Sequence, residues 1–289
     1  MTRPVLSIGD PAFLSSATGV FPFGSLSSSQ AWAISTRQLT AVAGGVPTGA
    51  IVQIQRTSDF AIGGFTASQI EDGTLEAWVG AGNNGNMFRM KDQASGAWVG
   101  SSWGTPLRIV VNGQLVRVGG KPAFQSPPDG QVSVINLTSN NNWFPVLGNP
   151  MAFQVRQASV GGWAAVSPVD HQNQNQTAPA LVAQWFDSSA RVYGPNPNTL
   201  NGNTRYLESF EYGNGSGSVY MNGNLIGSNS YTLTSPLPGG MVTSLGRSKI
   251  DAGYITTTGT FQELILFADK TGYNRSAIEA EINAYYGIY

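Results

Sequence analysis

Twice in this chain an Asn-Gly pair separates two short runs of β-favouring residues: RIVV from QLV at Asn112-Gly113, and SVYM from NLIG at Asn222-Gly223. Both residues of such a pair tolerate the positive φ that a two-residue type I′ turn demands, so each pair marks a tight antiparallel hairpin. Two fixed hairpins commit the chain to antiparallel β structure. The remaining runs must find edges and faces in the same sheets.

Residues 261–267 (FQELILF) are too short and too rich in β-formers for a helix, and their apolar residues point both ways. They are expected to form an interior strand. The cover for one face is a closing helix over residues 277–286, capped by Ser276 with Glu279 reaching back, carrying Ile278, Ile282 and Tyr285 on one stripe and stopped by Gly287. Residues 51–56 and 88–93 alternate apolar with polar as half-buried strands do. The runs QVSVINL, MAFQVRQA, ALVAQWF, ARVYG and RYLESFEYG between residues 131 and 213 read as further strands. Residues 31–39 (AWAISTRQL) and 75–79 have the spacing of short helices, and residues 1–30 read as a Ser/Gly-rich arm that either ties the domain to a neighbour or supplies an edge strand and loops of the same domain.

Composition narrows the function classes. Thirty-six Gly and 16 Pro with 11% charged residues describe a turn-rich chain, and 41% hydrophobic residues supply a core. The net charge of −1 gives no footprint for nucleic acid. Cysteine is absent, which excludes disulfides and thiolate chemistry. The first residues lack a signal-peptide core and no run is apolar enough to span a bilayer, so the expectation is synthesis in a host cytoplasm without membrane insertion.

SVYMNGNLIG, GTFQELILFAD and a short helix ending INAYYGIY, in that order, resemble the C-terminal half of concanavalin A-like (laminin-G-like) jelly rolls, especially copies in bacteriophage structural proteins. IVQIQRTSDFAIGG, GTLEAWVGAGN, FRMKDQASG and PLRIVVNGQLVRVGGKPAF resemble the N-terminal half of the catalytic domain of fungal α-L-arabinofuranosidase B and its phage tail-protein relatives. Arg56-Thr57-Ser58-Asp59, Lys91-Asp92-Gln93-Ala94-Ser95-Gly96 and Gly120-Lys121-Pro122-Ala123 occupy that family's motif positions. The resemblance implies an all-β concanavalin A-like jelly-roll β-sandwich with a short C-terminal helix. It covers residues 31–289 as one domain, with 1–30 as the arm.

Glycoside hydrolysis needs two carboxylates about 5 to 10 Å apart. The resemblance places the general acid nearest Asp251, whereas the strand expected to bear the nucleophile, ALVAQWFD, has no Glu, and the family's Cys pair is missing. Glu208 and Glu211 in RYLESFEYG are the substitutes on offer, and a solvated strand face explains both more simply. His171 is the sole histidine, with no nucleophile elbow to serve, and neither a Ser-His-Asp triad nor a zinc site can be built on it. No cofactor is required; calcium alone suits the loop carboxylates Asp170, Asp187 and Asp251. Sugar binding asks only for an aromatic platform beside hydroxyl-bonding groups, which makes Trp143, Trp163, Trp185, Tyr193 and Asp187 glycan-binding candidates against a background of core packing.

Three functions follow from these residues. The leading one is a bacteriophage virion protein of a tail fibre, baseplate or capsid decoration, adhering to host cell-surface glycan. Its partners would be other virion proteins and further copies of itself. The second is a glycoside hydrolase, arabinofuranosidase-like or a polysaccharide depolymerase. The third is a purely architectural virion protein.

Overall fold

The computed structural model describes residues 31–39, 49–99, 102–103, 106–125, 134–136, 151–158, 182–184, 191–193, 204–213, 215–230, 244–245, 259–267 and 270–289. The strands are β1 (Ala31–Ser35), β2 (Val52–Arg56), β3 (Ile62–Phe65), β4 (Gly85–Lys91), β5 (Trp98–Val99), β6 (Ser102–Trp103), β7 (Arg108–Val111), β8 (Gln114–Leu115), β9 (Arg117–Val118), β10 (Lys121–Pro122), β11 (Phe124–Gln125), β12 (Val134–Asn136), β13 (Met151–Ala158), β14 (Val182–Gln184), β15 (Arg191–Tyr193), β16 (Arg205–Gly213), β17 (Ser216–Met221), β18 (Asn224–Ser230), β19 (Ser244–Leu245) and β20 (Gly259–Phe267). The helices are α1 (Ala67–Glu71), α2 (Thr74–Val79) and α3 (Arg275–Tyr286).

Every described strand pairing is antiparallel. The main sheet runs β18-β17-β16-β13-β20-β11-β7-β4-β2-β3, with β1 beside β20, β5 beside β4 and β8 beside β7. Both Asn-Gly hairpins form as expected, with φ of 53° and 81° at Asn112 and Gly113, and 51° and 79° at Asn222 and Gly223. A Cβ on Gly113 would stand 2.7 Å from the Ala81 Cα, so close backbone approach as well as the turn requires glycine there.

β20 is interior, with β13 on one side and β1 and β11 on the other. Its two faces serve different cores. Leu264 joins Ile34, Ala152, Phe210, Ile54, Met87 and Phe124 in one cluster, while Ile265 and Phe267 join Phe153, Val155, Leu207 and the α3 residues Ile278, Ile282 and Tyr286 in the other. A bulge opposite Val155 and Arg156 leaves Gln262 as the extra residue, which brings Phe261 round to the first cluster. The freed Gln262 amide donates to the Lys121 and Pro122 carbonyls at 3.2 and 3.0 Å, fastening the β9–β10 hairpin to the sheet.

Three local expectations need correction. Residues 31–39 begin as strand β1 instead of a helix, because Ala33 and Ile34 are buried on opposite faces, and a strand covered on both sides loses the alternation that would reveal it. Helix α3 is capped by Asn274, whose side chain accepts from the Ala277 N–H; Ser276 bonds to Asn274, and Glu279 is buried against Ser209 and Arg275 instead of closing a capping box. Its buried stripe carries Tyr286 in place of Tyr285, which is displaced to the rim and donates to Glu71 at 2.8 Å. Gly287 does end the helix, at φ 61°. Helix α2 matches the expected 75–79 segment, and α1 was not expected, although Thr66 and Gln69 form a reciprocal capping box.

Candidate functional site

Trp143, Trp163, Trp185, Asp170, Asp187, Asp251 and His171 lie outside the described residues. Tyr193 ends β15 opposite Val182, and its side chain is likewise outside the description. Among the described residues no three His, Asp or Glu side chains gather to hold a metal.

The carboxylates on the described strands are Glu208, Glu211 and Glu263, and each is ion-paired. Glu208 accepts Arg156 Nε at 2.9 Å and Nη2 at 2.5 Å. Glu211 accepts Lys270 Nζ at 3.1 Å and the Tyr220 hydroxyl at 2.9 Å. Glu263 accepts Arg37 through both oxygens. The expected solvated face for Glu208 and Glu211 is therefore wrong: their partners come from 52 and 59 residues away, beyond the reach of any local pattern. Burial raises the Glu208 carboxyl above its ordinary pKa, with the Arg156 guanidinium pulling it down. At Glu211 burial acts upward too, but hydrogen bonds from Lys270 and Tyr220 outweigh it and the net shift is downward.

The Asp92-Gln93 turn is structural. Asp92 Oδ1 accepts the N–H groups of Ala33 at 2.9 Å and Ala94 at 3.0 Å, and its other oxygen accepts the Ser95 hydroxyl. Gln93 accepts Leu39 N at 2.8 Å and donates to the Arg37 carbonyl at 2.9 Å. Together they tie β1 and its extension to the end of β4.

The face of the sheet turned away from Ile54, Met87, Phe124 and Phe261 carries a different arrangement. Gln55 stands opposite Asn86, Asn86 opposite Arg108, Arg108 opposite Gln125, Gln125 opposite Thr260, and Thr260 opposite Gln157. Directly paired residues share a face, so six polar side chains from β2, β4, β7, β11, β20 and β13 form one row across the strands. At about 4.8 Å per strand the row is roughly 24 Å long. Gln125 is exposed and the others half-buried. Three of these side chains hold a buried polar atom with no hydrogen-bond partner among the described residues: Asn86 Oδ1, Arg108 Nε and Thr260 Oγ1. At the β16 end the row is closed by Arg205, opposite Gln157, which donates to the Val118 carbonyl at 2.9 Å and to the Tyr286 carbonyl.

The opposite end reaches the β2–β3 turn, where Gln55 Nε2 donates to the Phe60 carbonyl at 3.2 Å. Phe60 is 71% exposed and holds φ 60°, a conformation that costs a bulky side chain about 1–3 kcal/mol. The turn overdetermines it. Phe60 N–H donates to the Arg56 carbonyl at 3.1 Å, Arg56 N–H donates to the Ala61 carbonyl at 3.0 Å, and the Arg56 guanidinium grips both oxygens of Asp59 at 2.7 and 2.6 Å. That grip, with the Ala61 N–H, holds the Asp59 carboxyl down to about 2. Arg56 also donates to the Trp78 carbonyl at 2.9 Å and covers the Trp78 ring at 4.8 Å. Ile62, on the edge strand opposite Gln55, adds a second exposed apolar group. The Arg-Thr-Ser-Asp motif thus builds a rigid tip that presents one aromatic ring.

No family model matches the chain, and no curated protein matches its sequence. Among solved structures, a GH54 α-L-arabinofuranosidase soaked with a cyclic sulfate inhibitor aligns at 13% identity and TM-score 0.50, over 88% of this chain and 62% of that one. This chain spans less than two thirds of that enzyme's length. A Trypanosoma rangeli sialidase in complex with a difluorinated nononic acid aligns at 12% identity and TM-score 0.41, over 68% and 31% of the two chains. A structure of botulinum neurotoxin type C, described as entering cells through two ganglioside molecules, aligns at 12% identity and TM-score 0.36, over 70% and 50%. The last two likenesses are too loose to argue from. The first shows the fold, a concanavalin A-like jelly-roll β-sandwich, mostly antiparallel, with few helices and one closing the C-terminus.

Proposed function

We propose that this protein is a non-hydrolytic glycan-binding module of a bacteriophage virion, acting in adhesion to the host surface. The observation that carries the binding half is the polar row ending at Phe60. Amide and guanidinium groups in register across a sheet, beside an exposed ring held rigid, supply the hydroxyl-bonding and stacking groups that sugar recognition uses. The turn is ordered before binding, so little entropy is lost at that end. Each site would be weak, and copies on a particle would act together.

The non-hydrolytic half is supported by the ion pairing of Glu208, Glu211 and Glu263, which commits the described strand carboxylates to structure. The virion assignment draws on the resemblance to phage structural proteins in the motifs at both ends of the domain. A fold shared with an arabinofuranosidase fits an enzyme equally, since fold alone does not set function. One observation favours that second reading: Glu208 has the raised pKa that a general acid needs.

Purified protein is expected to bind polysaccharide while releasing no sugar from arabinan, aryl arabinofuranosides or host envelope polysaccharide. Turnover abolished by Asp251→Asn or Glu208→Gln would overturn the non-hydrolytic reading and identify the acid. Failure to bind any polysaccharide would overturn the glycan reading and leave the architectural role.

A further inference from the structure

We infer that the glycan held across the polar row is acidic, an extended chain whose sugars carry carboxylate or phosphate groups. This rests on the reading of that face as a glycan site and goes further by fixing the ligand's charge.

The strands β2, β3, β4, β7 and β11 contain Arg56, Arg89, Lys91 and Arg108 and no Asp or Glu. Arg56 is consumed by Asp59 at the tip. The other three are on the face of the row. Arg108 stands within it, between Asn86 and Gln125, half-buried, with its Nε buried and unpartnered among the described residues. Arg89 is opposite Gln53, two residues along β2 from Gln55, and is exposed with its guanidinium 5.0 Å from the Phe88 ring. Lys91, two residues further along β4, holds its ammonium 5.6 Å from the half-buried Trp98 ring. None of the three has a carboxylate partner among the described residues.

Contrast decides the charge. Elsewhere arginines of the fold meet carboxylates, as Arg37 with Glu263, Arg156 with Glu208 and Arg275 with Glu279, or backbone carbonyls, as Arg117 and Arg205 do. Arg89, Lys91 and Arg108 have neither a carboxylate nor a carbonyl partner among the described residues, and a guanidinium meets a carboxylate or phosphate through two parallel hydrogen bonds. A neutral chain would use the amides and leave three positive charges idle. The protein as a whole has net charge −1, so it offers no general attraction to a polyanion. Affinity for one must come from a local cluster.

The test is binding of the full chain, at low ionic strength, to polygalacturonate, to a phosphomannan and to dextran, each immobilised on a sensor surface. We expect binding to polygalacturonate or phosphomannan well above dextran, the preferred surface telling carboxylate from phosphate. Arg108→Gln and Arg89→Gln should each weaken it about fivefold, with unchanged thermal unfolding, because neither side chain has a carboxylate partner to lose. Dextran bound as well as the acidic surfaces would overturn the inference and leave the glycan reading standing. Acidic binding that both variants retain would also overturn it, by placing the contact elsewhere. Binding to none of the three would overturn both readings.

Discussion

The carboxylate of Glu263, fully buried in the middle of the sheet, accepts Arg37 Nε at 2.7 Å and Nη2 at 2.9 Å across a sequence separation of 226 residues. Ser35 and Tyr286 complete its shell, donating from their hydroxyls at 2.8 and 3.2 Å. The charge is thereby satisfied on every side, and β1, β20 and α3 are joined at one point. Arg37→Met would leave this carboxylate buried without its cation, and a loss of about 3 kcal/mol is expected in urea unfolding. Adding Glu263→Gln to that variant should recover much of the loss. A double variant no better than the single one would show that the pair's geometry, and not its charge balance, matters.

Asp92 predicts a pH effect with a definite sign. Burial raises its pKa above the ordinary value despite bonds from Ser95, Ala33 and Ala94. The folded state therefore holds the proton more tightly than the unfolded state, and stability falls as pH rises from the unfolded value through the raised one. Asp92→Asn keeps an acceptor for both N–H groups and should flatten that slope at little cost. Asp92→Ala strands two buried donors and should cost about 2–4 kcal/mol. Acid-range unfolding curves of the two variants separate these effects.

Phe60 makes a prediction in which stability and binding move apart. Glycine adopts φ 60° without strain, so Phe60→Gly should unfold no more easily than the parent, whereas most glycine substitutions destabilise. The same variant removes the stacking ring and should lose glycan binding. Parallel measurement of melting temperature and polysaccharide affinity checks both. A marked drop in melting temperature would mean that the ring is part of the core instead of a presented group.

Hairpins and the interior strand were legible in the residues because their signals are local: Asn-Gly at 112 and 222, and a compact apolar run at 261–267. Strand β1 was not, since burial on both faces erases the period. The capping box of Thr66 and Gln69 is a local signal too, a Thr followed three residues on by Gln. The polar row is of another kind. Gln55, Asn86, Arg108, Gln125, Gln157 and Thr260 become neighbours only through register, and the register depends on bulges at β4–β7 and β13–β20 that no local pattern announces. Phe60 did leave a sign: an aromatic directly after Ser-Asp in a turn has no core to enter.

The central claim, a glycan lying across the row without being cleaved, is tested most directly by following side-chain amide resonances of the ¹⁵N-labelled protein during titration with oligogalacturonate. The account predicts shifts at Gln55, Asn86, Gln125 and Gln157, while the internal amides of Gln93 and Gln262 stay fixed and the oligosaccharide signals remain those of an intact chain. Shifts confined to other residues, or new reducing-end signals appearing with time, would contradict it.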